Sequence, residues 1–133
     1  MSRGWRIVFL LAGLGNLGNG LWMLVDPYGW YINLPAAVPD TGPYNEHFVR
    51  DIGCTFSTLG ALLLSGVAVP SMGLPALVAA TLFSAMHALV HVYDTARGFL
   101  APSHWAIDFP GVYAPTLLLL ALTWAYARRR RVA

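Results

Sequence analysis

Apolar residues run in four long blocks, with most polar ones gathered between them or at their ends. The blocks cover about 5–25, 44–69, 74–96 and 110–127. Each approaches or exceeds the ~20 residues that a helix rising ~1.5 Å per residue needs to cross a hydrocarbon core of ~30 Å. The pattern predicts an all-α membrane protein, an antiparallel bundle of four transmembrane helices forming a single domain. Residues 26–43 include Pro27, Pro35, Pro39 and Pro43, which break regular structure between the first two blocks. Trp30 and Tyr31 in that segment suit a membrane–water boundary, and a short interfacial helix is expected near 29–34.

Small residues add to this picture. Gly13, Gly15, Gly18 and Gly20 cluster in the first block, and Gly53 and Gly60 share a face of the second. Glycine lets helix backbones approach closely in a membrane, so compact packing is expected. Pro75 and Pro110 stand at helix starts, where proline is tolerated, whereas Pro115 falls inside the fourth block and should kink it.

Composition supports the bilayer as solvent. The chain is 57% hydrophobic and 11% charged, against about 25% charged residues in a soluble domain. All eight basic residues are arginines, and the net charge of +2 sits mainly at the chain ends. That balance excludes a nucleic-acid partner and leaves the lipid bilayer, with a membrane-protein partner or a homo-oligomer open. The first block runs on through Val25 with no small-residue cleavage signal, so it is expected to be a retained span rather than a signal peptide. Arg3, Arg6 and the run Arg128–Arg131 outweigh Arg97, which places both termini in the cytoplasm. Cys54 is the sole cysteine; it excludes an internal disulfide and is expected to be a small buried packing residue.

With this orientation the polar side chains of the spans all fall in the outer half of the membrane. Glu46, His47, Arg50 and Asp51 open the second span; His87, His91, Asp94 and Arg97 close the third. Asn16, Asn19 and Asp26 lie in the outer half of the first, and His104 and Asp108 stand beside the entry of the fourth. On a helix, His87, His91 and Asp94 lie within about 60° of one another, and His47 shares a face with Asp51. Ionisable groups within a span need a reason. Two or three imidazoles with carboxylates suit a transition metal such as zinc, copper or iron, for which His47, His87 and His91 are the candidate ligands. Asn19, Arg50, Asp51 and Asp94 are the candidate ligand-binding or orienting residues. The same groups also fit a structural ion-pair network that fixes helix register. No Gly-rich phosphate loop, Gly-x-Ser-x-Gly elbow or Ser–His–Asp set is present, so no catalytic residue is assigned.

The stretches Asn19–Leu24, Trp30-Tyr31, Thr41–Asn45 and, most sharply, His47–Gly53 resemble small bacterial four-helix membrane proteins of the DoxX-like kind. The resemblance covers most of the chain. It implies a four-helix antiparallel bundle in the bacterial inner membrane, and some DoxX-like proteins are linked to quinone-coupled redox chemistry. The resulting expectation is an inner-membrane protein whose periplasm-side His/Asp/Arg pocket binds a metal ion or small ligand. The alternatives are a non-catalytic accessory subunit of a membrane assembly and a quinone-linked redox protein.

Overall fold

The computed structural model describes residues 1–132, with side chains as far as Arg129, so Arg130 and Arg131 of the arginine run lie outside the described side chains. The described chain is all helix and turn, with no strand: α1 Arg3–Val25, α2 Pro27–Asn33, α3 Glu46–Ala68, α4 Gly73–Ala96, α5 His104–Ile107 and α6 Ala114–Val132. The four long apolar blocks become α1, α3, α4 and the stretch leading into α6, each long and apolar enough to cross a membrane. Close packing divides the chain into two compact units, Met1–Ala76 and Leu77 onward.

In the first unit α1 and α3 touch backbone to backbone, and glycine is what permits it. A Cβ on Gly60 would lie 2.5 Å from the Leu17 nitrogen and 2.8 Å from the Gly13 carbonyl oxygen. One on Gly20 would lie 2.5 Å from the Ser57 nitrogen. Those distances are too short for any side chain, so the pair rests on dispersion contacts along bare backbone. Phe9, Met23, Leu59 and Leu63 are buried in this unit.

The segment between them is ordered by polar contacts at its turns. Asp26 accepts from the Gly29 nitrogen at 3.0 Å and Pro27 takes the first helical position, which together start α2. The short helix expected near 29–34 is present and begins two residues earlier. The Trp30 indole donates to Asn19 Oδ1 at 2.9 Å and holds α2 against α1. The Tyr31 hydroxyl donates to the Gly42 carbonyl at 2.8 Å. Tyr28 and Tyr31 both pack on Tyr44, with ring centres 5.3 Å apart in each pair. Asn45 then caps α3, accepting from the Phe48 nitrogen at 3.3 Å.

The second unit joins α4 to α6 by hydroxyls instead. Thr81 and Thr123 share a hydrogen bond of 2.7 Å, and Thr81 also reaches the Leu119 carbonyl at 3.3 Å. Thr116 donates to the Ser84 carbonyl at 3.1 Å, and Thr123 to that of Leu77 at 3.4 Å. Gly98, at φ 76°, ends α4. The Gly98 nitrogen bonds the Thr95 carbonyl and the Phe99 nitrogen that of Asp94, which is a Schellman stop. It turns the chain back so that α5 follows. Before α6 the chain makes a π-helical turn, Phe109–Tyr113. Pro115 accounts for it: proline has no N–H for the Gly111 carbonyl and its ring crowds that carbonyl, so the preceding turn widens.

Candidate functional site

Within the second unit one carboxylate is gripped from two sides. Asp108 follows α5 and is 1% exposed; its backbone carbonyl accepts from the Val112 and Tyr113 nitrogens of the π turn, which fixes its position. Its Oδ2 lies 2.8 Å from His91 Nδ1, and its Oδ1 lies 3.3 Å from His104 Nδ1. His104 is fully buried, while the His91 side chain is 15% exposed. One turn earlier on α4, the His87 ring meets the His91 ring edge-on with centres 4.7 Å apart, and it lies parallel to Phe83. The Tyr113 hydroxyl and the Thr95 hydroxyl, one turn beyond His91, are buried without a hydrogen-bond partner among the described residues.

The chemistry follows from donor and acceptor counting. A carboxylate accepts at both oxygens, so each Nδ1 that meets it carries the proton. In the neutral His91 ring that leaves Nε2, on the far side from Asp108, as the acceptor nitrogen. The same arrangement, carboxylate to Nδ1 with Nε2 outward, orients imidazoles that bind metals or accept protons. A π turn beside it is a known accompaniment of functional sites.

The expected site residues part into two groups. His87 and His91 come together as anticipated, but the carboxylate beside His91 is Asp108 and not Asp94. Asp94 pairs with Arg97 at 2.8 Å, and the guanidinium lies over the Tyr93 and Phe99 rings, 5.1 and 4.8 Å from their centres. Asp94 points there because it sits in the last turn of α4, where Arg97 is its nearest cation.

In the first unit, His47 pairs with Asp51 at 3.4 Å and Arg50 with Glu46 at 2.9 Å. All four side chains are about half or more exposed, His47 most of all at 82%. Asn19 is engaged by Trp30. Cys54, expected to be buried, is exposed. The face of α3 that meets α1 is set by Gly53 and Gly60, and Cys54 stands about 100° round the helix from Gly53. Among the described residues no group of three or more His, Cys, Asp or Glu is placed to hold a metal ion.

No family model matches the chain, and neither a curated protein nor a solved structure does. The function must therefore be read from the site alone. His104 and Asp108 were visible in the sequence beside the fourth block, at the same i, i+4 spacing as His47 and Asp51. What marks them is burial, and burial here depends on the Gly98 stop and the short α5, which hydrophobic periodicity does not register.

Proposed function

We propose that the protein is a multi-pass membrane protein that binds a small ligand at His91, with His87 beside it and Asp108 and His104 holding it in place. The observation that carries this reading is the buried Asp108 carboxylate shared between two imidazoles. Two titratable partners for one carboxylate exceed what is needed to join two helices, and they leave an oriented acceptor at His91 Nε2. The ligand's complementary feature is a hydrogen-bond donor, a hydroxyl or N–H. The buried hydroxyls of Thr95, one turn beyond His91, and of Tyr113, in the π turn after Asp108, are further polar groups of the same unit. A transition metal remains the second occupant, with His87 and His91 as its imidazoles and any other donors coming from outside the described protein groups.

The membrane setting belongs to the same proposal. The pairings Gly13 with Leu64 and Gly20 with Ser57 support an antiparallel α1–α3 pair; Leu77 with Thr123 and Ser84 with Thr116 support the same for α4 and α6. The terminal arginines favour cytoplasmic ends, a bacterial inner-membrane location and a site on the periplasmic side. The likeness to DoxX-like proteins fits this architecture.

The test is the content of the detergent-purified full chain, measured by native mass spectrometry and elemental analysis. Wild type should carry a near-stoichiometric small organic molecule that His91→Gln loses while its helicity and melting remain close to wild type. Zinc, copper or iron lost in the same way would assign the metal. Equal content in the two proteins would overturn the reading and leave Asp108 as a structural tie, the expected property of an accessory subunit.

A further inference from the structure

The contacts of α4 mark which of its sides faces the rest of the second unit. The Leu77 and Ser84 carbonyls accept from Thr123 and Thr116, Thr81 bonds Thr123, and His91 bonds Asp108. At 100° per residue these four positions, with the buried Ala88, fall within a stripe about 80° wide. Thr95 falls on the same stripe, one turn beyond His91. It is 7% exposed, and its hydroxyl has no hydrogen-bond partner among the described residues. Thr81 and Thr116, also buried, both have theirs bonded. An enclosed hydroxyl left unpaired is costly and calls for a partner.

Helix side chains lean toward the N-terminal end, so the Thr95 hydroxyl stands over the turn that holds His91. Residues one turn apart have Cβ atoms about 5–6 Å apart, a gap that one small head group spans. Charge narrows the choice of head group. Asp108 already meets an imidazole N–H at each oxygen. Arg97 is paired with Asp94, and Arg128 lies over Trp124, past the Thr123 that bonds Leu77 at the other end of α4. An anion at His91 would have no guanidinium beside it, and a cation would compete for a carboxylate already bonded. Either would also be stripped of water among apolar helices.

We propose that Thr95 is a specificity-determining contact of the His91 site, and that the ligand is an uncharged group with an N–H or O–H donor beside a carbonyl, of which a carboxamide is the simplest. The donor meets His91 Nε2 and the carbonyl accepts from Thr95. This rests on the reading of His91 as the binding group and adds the class of its ligand.

The test uses probes that share one alkyl chain and differ in the head group: octanamide, octanoate, octylammonium and methyl octanoate. Their saturable binding to the full-length, detergent-purified protein is measured by native mass spectrometry. Octanamide should bind at least about tenfold more tightly than the two ions and the ester, which lacks a donor. Thr95→Val should weaken octanamide by about 3- to 10-fold, the scale of one hydrogen bond, while the ligand-free protein melts no lower than wild type. Thr95→Ser keeps the hydroxyl and should bind as wild type does. Octanamide that does not bind saturably, or binds no better than the ions, overturns the ligand class; the content of the purified wild type and His91→Gln proteins then decides the His91 reading by itself. Binding that His91→Gln loses but Thr95→Val leaves unchanged overturns the assignment of Thr95 and keeps that reading. Binding unchanged in His91→Gln sinks both.

Discussion

The two units hold their long helices together by opposite means. In the first, α1 and α3 meet through absent side chains, with Gly60 against Leu17 and Gly20 against Ser57. In the second, α4 and α6 meet through polar side chains: the Thr81–Thr123 bond, Thr116 on the Ser84 carbonyl, and Asp108 bound to His91. The polar groups follow suit. The four ionisable groups that open α3 are outward and paired along their own helix, within one turn. On α4, Thr81 and His91 instead reach across to residues 17 to 42 positions away, while Asp94 pairs with Arg97 at the helix end. Dispersion along bare backbone holds a helix pair but offers no chemistry. Hydrogen bonds between apolar helices do both, which is why the candidate site lies in the second unit.

The sharpest break in this comparison would come from Asp108. Asp108→Ala leaves His91 and His104 without their shared acceptor in a buried setting. A buried donor left unpaired costs about 1–3 kcal/mol, and two are left here. Unfolding of the purified protein in mixed micelles should show a loss of that order. Asp108→Asn keeps one oxygen acceptor and should lose less. A loss below about 1 kcal/mol for the alanine variant would mean that the carboxylate does not tie the second unit together.

The first unit should respond to added rather than removed atoms. Gly60→Ala puts a methyl group against the Leu17 nitrogen and the Gly13 carbonyl, neither of which can rotate away. Overpacking of this kind costs about 1–3 kcal/mol. Gly15→Ala is the matched control, because a Cβ there meets nothing within 4 Å. It should gain up to about 1 kcal/mol from the better helix propensity of alanine. Opposite signs at Gly60 and Gly15 in the same unfolding assay would confirm backbone contact; equal signs would dissolve it.

A smaller effect is expected from the hydroxyl contacts of the second unit. Thr81→Val keeps the shape and removes the bond to Thr123. Hydrogen bonds between membrane helices average about 0.6 kcal/mol and reach about 1.7 at most. A double-mutant cycle with Thr123→Val should return a coupling in that range, and none with Thr55→Val, whose hydroxyl bonds its own helix at Asp51.

Much of this architecture could be read in the residues. The four apolar blocks gave the four long helices nearly to their ends, since hydrophobic run length and proline positions are local signals. The pairing of His87 with His91 was legible for the same reason, as both lie on one face of one helix. The carboxylate that meets His91 was not. Choosing Asp108 over Asp94 needs the path of the chain after Gly98, where a left-handed residue and a four-residue helix decide which acid is carried inward. Cys54 shows the same limit from the other side. Its apolar neighbours suggested burial, but burial around a helix is decided by which face the partner takes, and Gly53 and Gly60 took the other one.

The smallest effect is assigned to His47. It is paired with Asp51 at 3.4 Å, both side chains are mostly exposed, and the two lie one turn apart on one helix. Exposed pairs of this spacing contribute about 0.3–0.5 kcal/mol at most, and salt screens them. His47→Gln should therefore change the unfolding free energy of the micelle-dispersed chain by less than Thr81→Val does, and the difference should vanish in high salt. A stability loss as large as that of Asp108→Ala would contradict the comparison at its root. It would mean that the first unit, too, is held by an inward polar group, and that the outward placement of His47 on α3 does not describe the folded protein.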